Sequence, residues 1–459
     1  MRWGRILFSL GVSASLVFAC GGRGKNFAGF DDSVPADAGD GGAPSFTPFS
    51  EDGAAKQPCV GLQCKRVACG GTTEPTSVSG VIWDPAGKNP LYNVIVYVPN
   101  AELEPMKHGV SCETCAGVSG SPIATALTDA TGAFTLRDVP VMDDMPLVIQ
   151  IGKWRRQVTI PRITECVENK LTDKDRLRLP RTQSEGDMPK IALTGGCDPI
   201  HTFIQKIGIA ASELTDKNGK GTVHVYRGNG SGDTGGVPTA TDAYAFYGSF
   251  AELSKYDIVI NECECSPYPR DRVGNGYTAL AQYLNAGGRV FNSHYHLNFL
   301  GENGKADINF LTAAEWTLWG GASGGAPWLL DTSFPKGKAL SEWMENLKVA
   351  SAWSPKPKTS PPGQIASNFV GDIRAAKPGL SQRWIYSSTG SSVGYLSINA
   401  PVTAKPEERC GRAVLTDLHV GSSSLTTMTE AEAALEFILF DLSACVIDDS
   451  KPPVPPPVK

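Results

Sequence analysis

The chain has 459 residues, of which 41% are hydrophobic, and it contains 50 glycines, 33 prolines and 12 cysteines. This length exceeds one ordinary domain, so we expect two or three domains with hydrophobic cores and many turns. The formal net charge of -5 at pH 7 gives no basis for nucleic acid or an anionic membrane surface as a partner.

The N-terminus has the pattern of an export signal. Arg2 and Arg5 precede the apolar run within residues 1–20, and this run is shorter than a stable membrane span. It ends at Phe18-Ala19-Cys20 and resembles a bacterial lipoprotein signal. The resemblance implies export, lipidation of Cys20 and attachment to the bacterial cell envelope, with Gly21 favouring the outer membrane. The alternative is an ordinary signal peptide in which Cys20 is incidental.

Two segments are predicted to remain unpacked. Residues 21–75 begin with mostly glycine, alanine, aspartate, proline and serine and end in a cysteine-rich stretch. Such a composition buries too little apolar surface to offset chain entropy, so we predict a disordered tether. The tail over residues 448–459 is mostly proline from Pro452 onward, and we expect no packing there either.

Cysteine usage fits an exported protein. Eleven of the twelve cysteines follow Cys20, as is typical of an oxidising compartment, and their odd number leaves at least one thiol free or paired between chains. Disulfide bonds are the preferred interpretation for two groups of cysteines, Cys59, Cys64 and Cys69 near the start of the mature chain, and Cys112 and Cys115. A zinc cluster is the alternative interpretation.

Residues 76–182 are predicted to form a small antiparallel β-sandwich. Short runs rich in β-branched residues, such as Val94-Ile95-Val96-Tyr97-Val98, alternate with turn sequences. The region resembles the carboxypeptidase regulatory-like domain at Val78-Ser79-Gly80-Val81, Tyr92-Asn93-Val94-Ile95-Val96, Thr128-Asp129-Ala130-Thr131-Gly132-Ala133-Phe134 and Val139-Pro140. That family is a non-catalytic sandwich of transthyretin-like or immunoglobulin-like form. The resemblance implies a spacer or binding module.

Residues 188–447 alternate strands and helices, which predicts a parallel α/β domain with a β insertion around residues 325–408. The clearest unit is a buried strand over residues 256–260, a helix over 277–284 and a second strand over 289–293. Strands joined by one helix run parallel with a right-handed crossover. Ligands of such sheets bind outside the carboxyl ends of the strands.

This half resembles the class I glutamine amidotransferase-like superfamily, closest to its trehalose-utilisation (ThuA-like) branch. The residues that carry the resemblance are Tyr256-Asp257-Ile258-Val259-Ile260, Leu284-Asn285-Ala286-Gly287-Gly288-Arg289-Val290-Phe291 with Ser293-His294, and Gly411-Arg412-Ala413-Val414-Leu415-Thr416-Asp417-Leu418-His419. It implies a flavodoxin-like parallel sheet. The superfamily places a nucleophilic cysteine at the turn after the strand over residues 289–293, where this chain has Ser293-His294-Tyr295. Because this chain has no cysteine at that turn, it lacks the Cys-His-Glu triad of the superfamily, and we expect no glutamine hydrolysis.

Polar side chains follow three of the predicted strands. His294 and His296 are two residues apart, so they share a face if their segment is extended. His419 and Asp417 end another strand. Glu262 lies at the end of the strand over residues 256–260. Two or three histidines with a carboxylate fit zinc or another divalent ion. The alternatives are a carbohydrate or other polar ligand, or histidines that only hydrogen-bond the loops.

Ser293 is a weaker candidate. His294 or His419 supplies a nearby base for it, but no G-x-S-x-G sequence surrounds the serine.

Two disulfides are predicted from the topology. Cys410 begins a strand and Cys445 ends the helix that returns antiparallel to it, so both are expected at one edge of the sheet. Cys197 and Cys263 follow parallel strands at the opposite edge. Pairing requires Cα atoms within ~7 Å, which favours these partners over two cysteines of one strand.

The sequence thus predicts a multidomain envelope protein with a small antiparallel β-sandwich followed by a flavodoxin-like domain. We expect a binding or scaffold module with a carbohydrate or protein ligand in the envelope, held at the membrane by its lipid anchor, with no resident cofactor. The alternative is a hydrolase or metal-dependent enzyme acting on a carbohydrate or other polar substrate at His294, His296 and His419.

Overall fold

The computed structural model describes residues 59–71, 74–113, 115, 117–228, 234–264, 274–318, 327–367, 369–417, 419 and 423–458. The predicted signal peptide with Cys20 and most of the predicted tether lie outside these residues. The described residues belong to one compact unit. No helix among them is both long and apolar enough to cross a membrane.

Strands outnumber helices in the described part of the chain. The strands are β1 Ser77–Val81, β2 Ile95–Pro99, β3 Pro122–Leu127, β4 Ala133–Arg137, β5 Asp143–Ile151, β6 Trp154–Arg162, β7 Glu168–Lys170, β8 Ile191–Gly195, β9 Leu214–Thr215, β10 Val223–Arg227, β11 Thr241–Asp242, β12 Ile258–Asn261, β13 Arg289–Ser293, β14 Ala314–Trp316, β15 Trp328–Leu330, β16 Gln364–Ile365, β17 Ile373–Ala376, β18 Gln382–Ser387, β19 Val393–Ala400 and β20 Gly411–Thr416. The α-helices are α1 Ile200–Lys206, α2 Ala243–Tyr247, α3 Phe250–Leu253, α4 Gly276–Asn285, α5 Asn298–Gly301, α6 Ile308–Leu311, α7 Pro335–Ala350 and α8 Glu430–Ser443.

The first seven strands form two sheets, ordered β4-β1-β7 and β3-β2-β5-β6. The predicted antiparallel β structure of this region is confirmed, except that β7 pairs parallel to β1. The turn before β4 forms because Asp129 accepts hydrogen bonds from the backbone of Thr131 and Ala133. Gly132 has a φ of +75° there, and a Cβ at that position would lie 2.6 Å from Pro90. Buried side chains of both sheets share one hydrophobic core.

The remaining strands build a large mixed sheet. Its order is β11-β10-β8-β12-β13-β20-β19-β18-β15-β16, with β9 beside β10. The strands from β11 to β20 run parallel, β9 also pairs parallel with β10, and the strands from β20 to β16 pair antiparallel. Strands β8, β12, β13 and β20 consist entirely of buried residues, as expected where both faces of a parallel sheet are covered. Strands β15, β16, β18 and β19 of the region around 325–408 extend this sheet.

Helix α8 joins the two halves. Its N-terminus is a capping box, in which Thr429 accepts from the Glu432 backbone at 3.1 Å and Glu432 accepts from the Thr429 backbone at 2.8 Å. Thirteen of its fourteen residues are buried. Phe437 stacks on Tyr92 of the first half with ring centroids 5.4 Å apart. The helix also contacts β13 and β20, so it is part of the core of both halves.

The predicted Cys410–Cys445 disulfide is wrong. Cys410 is bonded to Cys112, and Cys445 is bonded to Cys115. The loop after β2 lies against the amino-terminal edge of the mixed sheet, where Asp257 accepts a hydrogen bond from the Gly109 backbone at 2.8 Å. The loop therefore brings its two cysteines to the base of the sheet, and each reaches a different partner.

The cysteines near the start of the described chain also form disulfides. Cys59 is bonded to Cys64, and Cys69 is bonded to Cys166. The disulfide interpretation of these cysteines and of Cys112 and Cys115 is confirmed, and the zinc-cluster interpretation is wrong.

The predicted Cys197–Cys263 disulfide is also wrong. Cys197 is disulfide-bonded, but its partner lies outside the described residues. Cys263 is a free, buried thiol. The two residues touch through their backbones, since the Cys197 amide donates to the Cys263 carbonyl at 2.7 Å. The Cys263 side chain lies instead against His294, with Sγ 3.3 Å from Nδ1.

The proline-rich tail packs, contrary to expectation. Thr125 of β3 donates a hydrogen bond to the Pro456 carbonyl at 2.7 Å, and Pro456 is buried. Proline has no backbone N–H, but its carbonyl remains an acceptor, so the segment can dock on a strand through that group.

Two buried carboxyl groups meet where α8 contacts the first half. Asp84 is fully buried and accepts from the Lys88 backbone at 2.6 Å, while Glu436 accepts from Asn89 at 2.7 Å. Burial raises the pKa of Asp84 to about 7. Burial and the charge of Asp84 raise the pKa of Glu436. Asp84 is therefore partly protonated in the folded protein at about pH 7, and the raised pKa of Glu436 also favours its protonated form.

This pair predicts a stability that falls as pH rises. The pKa of Asp84 is about 7 when folded and 3.8 as a reference, so the folded state holds a proton that the unfolded state releases between these values. Asp84→Asn should raise the free energy of unfolding by roughly 2–4 kcal/mol at about pH 8 and change it little at about pH 4. Urea unfolding with the disulfides intact measures the free energy of unfolding at both pH values. Glu104→Gln, at an exposed carboxylate, is the control, and equal pH dependence in wild type and Asp84→Asn would contradict the prediction.

Candidate functional site

Chemically capable side chains gather at the carboxyl ends of the parallel strands. Asp198 follows β8, Cys263 follows β12, His294 follows β13 and His419 follows β20. These four strands are neighbours in the sheet and run parallel, so their carboxyl ends share one edge. This edge is where ligands of such sheets bind.

Three of these side chains converge. The Sγ atom of Cys263 lies 3.3 Å from Nδ1 of His294. The rings of His294 and His419 have centroids 4.7 Å apart and cross at 77°. One donor atom from each of Cys263, His294 and His419 lies within 4.8 Å of the other two. We call these three residues the edge cluster.

A carboxylate stands behind each imidazole of the edge cluster. Oδ1 of Asp198 lies 3.2 Å from Nδ1 of His419. Oδ2 of Asp372 lies 3.5 Å from Nε2 of His294. In each ring, one nitrogen therefore faces a carboxylate, and the other nitrogen faces the thiol of Cys263.

The two imidazoles have opposite electrostatic environments. Burial, followed by the nearby charges of His419 and His296, lowers the pKa of His294 to about 4. The hydrogen bond with Asp198, followed by one with Cys263, raises the pKa of His419 to about 10. At neutral pH the ion-free site thus contains a neutral His294 beside a charged His419.

The backbone at His294 is strained. Its φ is +39°, in the left-handed region that favours glycine. The residue begins a 3-10 turn, His294–Leu297, directly after β13. Non-glycine residues in such conformations cost about 1–3 kcal/mol and are enriched at functional sites.

Asp417 organises the site indirectly. This residue was expected as a ligand, but its Oδ2 accepts from the backbone amides of Gly371 at 3.1 Å and Asp372 at 2.7 Å. Burial, followed by the charge of Asp372, raises the pKa of Asp417 to about 8. Asp417 thereby holds the segment that presents Asp372 to His294.

His296 is separated from the edge cluster. Its Nε2 lies 3.0 Å from the Tyr247 hydroxyl and 3.1 Å from Glu264, and its ring stacks on Phe299. The expected common face with His294 does not form, because the segment is a 3-10 turn rather than a strand. In a turn of three residues, side chains two apart point in different directions.

Glu262 and Ser293 have structural positions. Glu262 is fully buried and accepts from the backbone amides of Gly196 and Ile200, which fixes the turn between β8 and α1. Ser293 is 1% exposed at the end of β13. Neither residue belongs to the edge cluster.

Sequence reasoning missed three members of the site. Cys263 was assigned to a disulfide, and Asp198 and Asp372 were not singled out. For Cys263 and Asp198 the signal was present, since each directly follows a predicted strand whose carboxyl end had been located. Asp372 lies far along the chain from His294, and nothing in the local sequence links the two.

Cavities occur away from this edge as well. One of about 420 Å³ lies between the outer face of β2, β3 and β5 and the proline-rich tail, and includes Ile95, Leu127 and Pro456. Another of about 440 Å³ lies beside β1 and β4. Neither is lined by a residue of the edge cluster.

No protein-family model matches this chain, and no curated protein does. An N-terminal-interface mutant of a type II cohesin–X-dockerin complex from Acetivibrio cellulolyticus aligns with 25% of this chain and 67% of its own, at 16% identity and a TM-score of 0.14. A C-terminal-interface mutant of that complex aligns with 31% of this chain and 75% of its own, at 13% identity and a TM-score of 0.15. An exo-beta-1,4-mannosidase from Opitutaceae bacterium strain TAV5 aligns with 58% and 38%, at 12% identity and a TM-score of 0.26. At such TM-scores none of these likenesses supports a fold or a function.

The strain at His294 predicts an unusual order of stabilities. His294→Ala keeps the φ of +39° and removes the side-chain contacts, whereas His294→Gly removes the same contacts and relieves the strain. The glycine variant should therefore be more stable than the alanine variant by about 1 kcal/mol or more. At an unstrained position the order is reversed, because glycine loses more chain entropy on folding.

Urea unfolding of both variants measures the difference. Tyr295→Ala and Tyr295→Gly, at the next residue, form the control pair, for which the alanine variant should be the more stable. If His294→Ala were as stable as His294→Gly or more stable, the backbone at residue 294 would not be strained.

Proposed function

We propose that this protein is a lipid-anchored module of the bacterial envelope that binds a polar, carbohydrate-like ligand at the edge cluster. The anchor rests on the resemblance of residues 1–20 to a lipoprotein signal. The remaining residues would form a spacer followed by a ligand-binding half. The convergence of Cys263, His294 and His419 at the carboxyl ends of the strands is the observation that carries the proposal.

The strand order supports a flavodoxin-like second half. Without the two-residue strands β9 and β11, the parallel strands β8, β10, β12, β13 and β20, numbered along the chain, are ordered 2-1-3-4-5 in the sheet. This is the order of flavodoxin-like folds. For the first half, two sheets with a shared core agree with a sandwich of the carboxypeptidase regulatory-like type.

Binding rather than glutamine hydrolysis is favoured by the turn after β13. The amidotransferase-like superfamily has its nucleophilic cysteine at that turn, and this chain has His294 there. His294 has a strained backbone at this turn and carries an imidazole where the superfamily has its nucleophile. A side chain at this turn extends from the sheet edge toward a ligand, and this position serves a ligand-binding residue as well as a nucleophile.

The surroundings of His294 suit a sugar. Tyr295 is partly exposed, and its ring lies against that of His294 with centroids 4.0 Å apart. An aromatic face beside hydrogen-bonding groups offers a ligand both an apolar contact and polar contacts. The half-exposed His419, at 41% of its side chain, lies at the solvent side of the cluster.

A thiol-dependent hydrolase is the second candidate function. Cys263 contacts His419, and Asp198 stands behind that imidazole at 3.2 Å. A nucleophile, a base and an acid that orients the base are the parts of such a centre. Because Cys263 is only 1% exposed, a substrate would have to reach it past the histidines.

Calorimetric titration of a soluble form tests the proposal. Cys20→Ser yields that form, and its failure to incorporate a palmitate analogue would support the anchor. Titrated with a panel of neutral disaccharides, trehalose among them, this protein should bind at least one. Tyr295→Ala and His419→Ala should weaken that binding by about 1–3 kcal/mol each.

His108→Ala is the matched control. His108 lies at the opposite edge of the sheet, with Nδ1 3.0 Å from Asp257, so its loss should leave sugar binding unchanged. Binding of no disaccharide, or binding that survives both edge substitutions, would contradict the proposed site. Release of acid from an ester substrate that depends on Cys263 would favour the hydrolase instead.

A further inference from the structure

We propose that the edge cluster is a zinc site, in which Cys263 Sγ, His294 Nδ1 and His419 Nε2 bind one ion. The inference deepens the proposed function and rests on it, because the ion would be the group that holds the oxygen of a polar ligand. This set of ligands differs from the three histidines expected from the sequence, because the thiol of Cys263 is a ligand and His296 is not.

The donor set fits zinc by its chemistry. One thiolate and two imidazoles are ligands that zinc prefers, whereas calcium and magnesium prefer oxygen. The thiol is available, because Cys263 is the free cysteine among the described residues while the other described cysteines are disulfide-bonded. An unpaired, buried thiol in a chain otherwise rich in disulfides needs a reason, and a metal supplies one.

The distances also fit. A tetrahedral zinc ion about 2.3 Å from sulfur and about 2.0 Å from nitrogen holds those two atoms roughly 3.5 Å apart. Sγ of Cys263 and Nδ1 of His294 are 3.3 Å apart. The largest separation within the cluster, up to 4.8 Å, requires a movement of roughly 1 Å, and the half-exposed His419 has room to make it.

The two carboxylates behind the rings are the stronger argument. Histidines that bind a metal almost always donate their other ring N–H to a carboxylate, a carbonyl or a water. Asp198 lies 3.2 Å from Nδ1 of His419, and Asp372 lies 3.5 Å from Nε2 of His294. The hydrogen bond with Asp198 favours the tautomer that leaves Nε2 of His419 free for the ion, while Asp372 makes an electrostatic contact with Nε2 of His294 and leaves its Nδ1 toward Cys263.

The cluster provides three protein ligands. Within the described part of the chain, no fourth histidine, cysteine or carboxylate joins the group. Three protein ligands with a fourth position for water or a ligand oxygen are typical of zinc sites that act on or bind a ligand. The exposed side of His419 is where such an oxygen can approach.

Cobalt substitution tests this assignment in the mature protein. EDTA removes resident metal while leaving the disulfides intact, and the ion-free protein is then titrated with Co²⁺ and with Zn²⁺ against a chromogenic chelator. We expect one ion per chain, the visible spectrum of tetrahedral Co²⁺, and a sulfur-to-cobalt charge-transfer band. Cys263→Ser should lose that band, and His294→Ala and His419→Ala should lose the tetrahedral spectrum.

Variants of the supporting residues separate a metal role from a structural one. Asp198→Asn and Asp372→Asn should weaken zinc binding by about 10–100-fold while the circular dichroism spectrum is kept. His108→Ala and His296→Gln should retain wild-type affinity. Failure of the wild type to bind zinc, retention of the charge-transfer band in Cys263→Ser, or equal loss in His296→Gln would each overturn the assignment.

The result is independent of the sugar titration. Disaccharide binding by protein that binds no zinc would refute the metal and leave the proposed function standing. Zinc binding without any disaccharide binding would support the metal site and refute the carbohydrate ligand.

Discussion

The burial of helix α8 is the constraint on which the rest of the structure depends. The helix has thirteen buried residues out of fourteen, with the first two sheets on one side and the mixed sheet on the other. Phe437 stacks on Tyr92 in the first half, and the helix packs on β13 and β20, the strands that His294 and His419 follow. The same interface therefore unites the two halves and supports the strands that carry the edge cluster.

Charged side chains make this interface specific. Glu432 pairs with Lys206, Asp441 pairs with Lys336 at 2.6 Å and Arg412 at 3.2 Å, and all of these are buried. Buried ion pairs add little net stability, because desolvation offsets the attraction, but removing one partner is costly. We infer that these pairs fix the rotation of α8. Glu436 is the exception, since it faces another carboxyl group and makes the interface sensitive to pH.

Local patterns predicted the elements of this fold, whereas long-range contacts determined the site. The apolar run over residues 256–260 predicted the strand observed as β12, and the pattern over residues 277–284 predicted the helix observed as α4. Disulfide partners cannot be deduced from spacing alone, so the bond of Cys410 to Cys112 was missed. An extended segment was assumed after β13, but the 3-10 turn there separates His296 from His294. The thiol of Cys263 became visible as a site residue only once its partner was known to be elsewhere.

The central claim is that a thiol and two imidazoles meet above the strand ends, and long-range proton–nitrogen NMR of the histidine side chains tests it most directly. In ion-free protein, His294 should remain neutral with its proton on Nε2 from about pH 5 to about pH 8, because burial lowers its pKa to about 4. His419 should remain doubly protonated over the same range, because Asp198 and Cys263 raise its pKa to about 10. Two rings that titrate together near the reference value of 6.5 would contradict the account.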